Sequence, residues 1–191
     1  MTRRREHPAA ARERRAAVED PNVVLEAALR FLEVRPRSTD EVRRRLTDAG
    51  YRAGLIDAAI EKLTGLGILD DEAFAQTWLE SRDRAHPRGE RALQFELRRK
   101  GLAADVISGA LEVRRDAADV EAGDPSVDDV AAERLLARHA RALERVADPR
   151  VRRQRAYALL ARNGFDPDTA GRAASALTAK ADLTAEEGPR E

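Results

Sequence analysis

The sequence predicts an all-α protein of three tandem three-helix repeats forming an elongated, curved array. Three observations lead there. Apolar residues recur at spacings of three and four along nearly the whole chain, while alternating Val/Ile/Thr-rich runs are scarce. Helix-start signals precede these stripes and glycines follow them. A block of about fifty residues recurs three times, and units this small need neighbours to bury their apolar faces.

Residues 1–20, "MTRRREHPAAARERRAAVED", hold six Arg and four acids and read as a flexible basic arm. No apolar stretch follows the basic residues, so no secretory signal is expected there. Repeat 1, residues 21–69, opens at Asp20-Pro21, an N-cap side chain followed by proline at the first helical position. Leu29, Phe31 and Leu32 form its first stripe. Ser38 and Glu41 in "STDE" form a capping box for the middle helix. Ile56, Ala59, Ile60 and Leu63 mark the third.

Repeat 2, residues 70–114, begins with Asp70-Asp71-Glu72 ahead of the Phe74/Trp78/Leu79 stripe. Residues 115–126, "RDAADVEAGDPS", are acidic, contain Gly and Pro, and read as a linker. Repeat 3, residues 127–180, starts with a helix over 127–147 whose stripe is Ala132, Leu135, Leu136, His139, Leu143 and Val146. Asp148-Pro149 and Asp166-Pro167 open its later helices. Residues 181–191 read as a disordered acidic tail.

The repeat is plainest around three glycines. "RRLTDAGYRAGLIDAAIEKL", "FELRRKGLAADVISGALEVR" and "ALLARNGFDPDTAGRAASAL" align on Gly50, Gly101 and Gly164. Each glycine sits where a left-handed C-cap residue is wanted. Leu46, Leu97 and Leu160 precede them. Tyr51, Leu102 and Phe165 follow, and Ala59, Ala110 and Ala173 recur further on.

Composition excludes several chemistries. The chain has no cysteine, which removes disulfides, thiolate catalysis and Cys-based zinc sites. His7, His86 and His139 share no metal-ligand spacing, so no metal or other cofactor is expected. No apolar run reaches the roughly 18–20 residues of a membrane span, and a cytoplasmic protein is expected. The three acids at 70–72 are explained by an N-cap and a favourable helix dipole. His139 reads as a core or boundary residue, and His86-Pro87 as a turn. Ser81 has no base placed to activate it. Gly65-Leu66-Gly67 lacks the strand and third glycine of a dinucleotide fingerprint. Nothing in the text argues for an enzyme.

Charge is more informative. There are 35 basic and 35 acidic residues, a net charge of zero. All the basic residues except Lys62, Lys100 and Lys180 are Arg, which makes planar contacts with phosphate and carboxylate. Residues 82–100 and 149–165 are locally basic, and Arg43, Arg44, Arg45 and Arg52 add a third cluster. If the repeats stack alike, these clusters form a basic strip suited to a nucleic-acid backbone or an acidic protein groove. Solvated Arg faces are the bland alternative. The candidate partner- or DNA-binding residues are Arg82, Arg88, Arg91, Arg98, Arg99 and Lys100, then Arg150, Arg152, Arg153 and Arg155.

The text "ALRFLEVRPRSTDEVRRRLTDAGY", followed by "IDAAIEKLTGLGILDDEAFAQTWLESR" and "RGERALQFELRRKGL", resembles the RecX family, regulators of the RecA recombinase. The resemblance covers residues 25–178 and is densest over 28–111. The third repeat diverges more, and the linker and arm carry no family pattern. The resemblance implies a modular, all-helical, non-enzymatic protein. Its expected partner is the RecA filament on single-stranded DNA, whose ATPase, strand-exchange and coprotease activities it would inhibit. The resemblance leaves direct contact with single-stranded DNA open, and a monomer without cofactors is expected. Two other readings stand beside it: an autonomous helix-turn-helix DNA-binding protein, and an adaptor for another helical assembly.

Overall fold

The structure, a computed structural model, describes residues 8–116 and 125–186, and these form eleven helices. They are α1 (Pro8–Ala16), α2 (Pro21–Leu32), α3 (Thr39–Ala49), α4 (Ala53–Gly65), α5 (Asp71–Ala85) and α6 (Glu90–Arg99). Then come α7 (Ala104–Asp116), α8 (Val127–Arg138), α9 (Ala140–Glu144), α10 (Pro149–Arg162) and α11 (Pro167–Glu186). Helices α2–α4 form the first three-helix set and α5–α7 the second. The third is α8, α10 and α11, with the short α9 between.

The helix ends follow from local chemistry. Ser38 Oγ accepts from the Glu41 N–H while the Glu41 carboxylate accepts from the Ser38 N–H, a complete capping box. Asp20, Asp148 and Asp166 each accept a backbone N–H in the first turn of the helix they open. Ser126 caps α8 in the same reciprocal way with Asp129. The sequence did not advertise that cap, because aspartate replaces the Glu or Gln expected at its third position. Gly50, Gly101 and Gly164 adopt φ of 99°, 82° and 85°, the left-handed region where a Cβ is costly.

The chain divides into two compact units. One runs up to Ala75 and includes Arg98–Val106; the other holds Gln76–Leu97 and the chain from Ile107 onward. In the first, Val24, Ala28, Val42, Leu46, Ile56, Ala59, Ile60, Leu63 and Leu69 form one core. In the second, Ala132, Leu135, Leu136, Leu143, Ala156, Leu160, Phe165, Ala170 and Ala174 belong to another. The equivalent leucines and alanines of the repeat are all buried: Leu46, Leu97 and Leu160, and Ala59, Ala110 and Ala173.

Three expectations are revised and one is extended. Within the supposed arm, Pro8–Ala16 is helical, and Val18 packs against the first core. The single helix expected over 127–147 breaks at His139, where φ is −101° and ψ 6°. His139 is exposed there, and of the expected stripe beyond it, Leu143 and Val146, only Leu143 is buried. Arg138, just before the break, donates to the Arg84 and Ala85 carbonyls at the end of α5, which fixes the last turn of α8 there. Asp71 serves more than its own helix: its Oδ1 accepts the Thr39 N–H at 2.8 Å and so caps α3 as well. Finally, α11 continues to Glu186, into the segment expected to be a tail. Linker residues 117–124 and tail residues 187–191 lie outside the described residues.

Candidate partner-binding surface

The candidate arginines and lysine fall into two groups. Arg82, Arg88, Lys100 and Arg152 are held by the fold. On α5, Arg82 lies over the Trp78 ring, 4.5 Å from its centre, and donates to Glu96 Oε2 at 2.6 Å. The Trp78 indole N–H donates to the same oxygen at 3.1 Å. Arg88 sits 3.7 Å from the other Glu96 oxygen and donates to Asn163 Oδ1 at 3.1 Å. Glu96 is therefore the hub of this cluster, and it offsets two of the charges the sequence marked for a partner. Lys100 donates to Glu41 at 2.9 Å, both side chains being 19% exposed. Burial alone would raise the Glu41 pKa, but the Lys100 hydrogen bond and charge hold it below its ordinary value. Arg152 donates twice to the Val146 carbonyl, at 3.1 and 3.0 Å, and staples the α9–α10 turn.

Arg91, Arg98, Arg150, Arg153 and Arg155 are exposed, as is Arg99. Arg91 and Arg98 lie two helical turns apart on one face of α6, with Phe95, 61% exposed, between them. On α10, Arg150, Arg153 and Tyr157 line one cleft of about 480 Å³, with Gly171, Ala174 and Ser175 of α11 on its other wall. Arg155 lies elsewhere on that helix. Among the described residues the guanidinium groups of Arg91, Arg98, Arg150, Arg153 and Arg155 have no acidic partner. They are the charges best placed to meet an anion.

Sequence reasoning missed two features. Arg114, with its side chain only 4% exposed, forms a paired contact with Asp83, each bond 2.9 Å. It also donates to Asp128 at 2.8 Å, whose other oxygen accepts the Glu90 N–H at the start of α6. Burial alone would lower the Arg114 pKa, but hydrogen bonds and charge from both aspartates raise it above its ordinary value. No periodic signal could reveal this, because the partners are brought together only by packing. The second feature is a cleft of about 360 Å³ in the first unit, lined by Arg15, Arg30, Phe31, Val34, Arg45 and Tyr51, among others. Arg37 lies 4.3 Å and Arg45 5.7 Å from the Phe31 ring centre. The rest of the 43–52 cluster is engaged: Arg43 with Asp57, Arg44 with Asp40, and Arg52 with the Val18 carbonyl.

The described residues contain no group of three or more His, Cys, Asp or Glu able to hold a metal. No helix among them is long and apolar enough to cross a membrane. The fold and surface thus define a tandem three-helix repeat protein with exposed arginines on its middle helices. Residues 25–63 match the first three-helix domain of RecX and residues 70–111 the second. The regulatory protein RecX of Mycobacterium sp. (strain KMS) is 37% identical over 146 residues, 74% of each chain. That of Mycobacterium avium (strain 104) is 36% identical over 143 residues, 74% of this chain and 77% of its own. The chain belongs to the RecX family. A crystal structure of RecX from Lactobacillus salivarius shares the fold, with a TM-score of 0.64 at 20% identity over 85% of this chain and 97% of its own. A second RecX crystal structure gives 0.67 at 19% identity over 81% and 71%.

Proposed function

We propose that this protein is a negative regulator of the RecA recombinase, acting by binding and not by catalysis. It binds the RecA filament on single-stranded DNA and inhibits its ATPase, strand-exchange and coprotease activities. The observation that carries this reading is family membership over three-quarters of the chain. The exposed guanidinium groups on α6 and α10 support it, since arginine pairs well with carboxylate or phosphate oxygens. A net charge of zero limits indiscriminate attraction to DNA while leaving local complementarity to an anionic filament. On this reading the protein acts as a cytoplasmic monomer, and single-stranded DNA is a secondary contact.

The test is ATP hydrolysis by RecA of the same source on single-stranded DNA, with this protein titrated in. Loss of hydrolysis well below one copy per RecA supports capping or disassembly of filaments. Loss only near stoichiometric coverage supports coating. Unchanged hydrolysis together with binding to duplex DNA alone would replace this reading with an autonomous DNA-binding one.

A further inference from the structure

The three glycine turns share a feature beyond their backbone. In each, the carbonyl one residue before the glycine accepts a hydrogen bond from an element earlier in the chain. Lys100 O accepts from Ser38 Oγ at 2.6 Å. Asn163 O accepts from the Gly89 N–H at 3.0 Å. Ala49 O accepts from Arg15 Nη1 at 3.3 Å. The glycines are in close contact with the same elements. A Cβ on Gly101 would overlap Asp40, and one on Gly164 would overlap Ala92. A Cβ on Gly50 would lie 3.1 Å from the Arg12 carbonyl oxygen.

For the later two turns the docked element is the start of the preceding repeat's middle helix. Ser38 and Gly89 are equivalent, each the same number of residues ahead of its own repeat's glycine, and each immediately precedes its helix. On the first repeat, α1 fills the same seat. Arg15 takes the donor role of Ser38 and Gly89, and the Arg12 backbone takes the place of Asp40 and Ala92. Arg52 completes the contact by donating to the Val18 carbonyl at 2.6 Å.

We propose that α1 is a capping element: it occupies on the first repeat the docking seat through which each later repeat receives the one before it. The third repeat shows why no second copy is the natural occupant. Its equivalent of Ser38 and Gly89 is Arg152, which already lies inside α10 with its N–H bonded to the Asp148 carbonyl at 2.9 Å. The middle helix of the third repeat therefore does not begin at that position as α3 and α6 do, and its backbone N–H is already used. The seat at Gly50 is also the lightest of the three. The other two are braced by a side chain from the residue before the glycine, Lys100 to Glu41 and Asn163 to Arg88, whereas Ala49 supplies only its carbonyl. A terminal repeat needs such a cover to shield its exposed stacking face.

The test is hydrogen exchange on the full chain, on a chain lacking residues 2–18, and on Arg15→Ala. Loss of the cap should speed exchange across 46–56 about tenfold or more while 160–165 stays unchanged. A synthetic peptide of residues 1–20 should restore protection to the shortened chain, and an Arg15→Ala version should restore less. If the shortened chain fails to fold, Arg15→Ala and Gly50→Ala in the full chain carry the test. Gly67→Ala is the control, because Gly67 also has positive φ, 68°, but faces open space. Gly50→Ala should speed exchange in α1 and Gly67→Ala should not. Unchanged protection at 46–56 after loss of α1, or no difference between the two glycine variants, would overturn the proposal.

Discussion

Single residues in this fold act chiefly through partners distant in sequence. Arg114 is the clearest case. Its buried guanidinium joins Asp83 on α5 and Asp128 on α8, and Asp128 also caps α6. Replacing it leaves both carboxylates without their cation. Arg114→Ala should therefore cost about 3–5 kcal/mol, the usual penalty for breaking a buried pair from one side, measured as a loss of unfolding free energy in denaturant. Arg115, its exposed neighbour, should cost far less on the same substitution, because its ion pair with Glu90 is long, 3.8 Å, and both groups are solvated. The sequence offers no way to tell these adjacent arginines apart.

At the scale of elements, middle-helix starts do two jobs. Ser38 caps α3 and also donates to Lys100 O while fully buried. Ser38→Ala loses the cap, about 1 kcal/mol, and removes the donor to the part-buried Lys100 carbonyl, about 1 kcal/mol more. Thermal denaturation should show a loss larger than that for Asp20→Ala, a cap alone. The outer faces of α6 and α10 carry the partner hypothesis. Arg88→Glu would bring a carboxylate beside Glu96 and break the bond to Asn163, so it confounds binding with folding. Arg91→Glu with Arg98→Glu is the cleaner variant. It should weaken inhibition of RecA about tenfold or more if charge pairs on this face matter, with helicity and melting temperature unchanged. Full inhibition by that variant would move the contact to another face.

For the whole molecule, acid should be destabilising in a defined direction. Glu41, Asp129 and Asp166 all have pKa values below their ordinary ones. For Glu41 and Asp129, burial opposes the shift, but Lys100 and Ser38 in one case and Arg172 and Ser126 in the other prevail. For Asp166 the leading cause is the Thr169 backbone N–H. A carboxylate depressed in the folded state stabilises fully above its unfolded pKa, and that contribution is lost as pH falls through the folded value. Stability should thus be flat near neutrality and fall below about pH 4. Glu41→Gln should lower stability at pH 7 and flatten the acid limb. Denaturant melts between pH 3 and 7 test both points, and equal slopes for the two proteins would refute the assignment to Glu41.

Much of the fold was legible because it rests on local rules. Periodicity marked the stripes, Asp-Pro and S-x-x-E marked starts, and repeated glycines marked ends; each depends on residues within a turn or two. The repeat was legible for the same reason, since equivalent residues bury equivalent faces. The helical state of Pro8–Ala16 was hidden, because that segment is Arg-rich and its helix is supported by a carbonyl and a glycine on another helix. The break at His139 was hidden because the 127–147 stripe continues through it. The candidate surface was half legible. Clustering located the arginines, but charge counting cannot say which ones already have a carboxylate. Most of the helices, their caps and the threefold repetition follow from neighbours along the chain, which is why they could be read from the sequence. Which arginines bind Glu96, Asp83 and Asp128 and which face outward is set by packing, because ion pairing depends on distances that folding fixes.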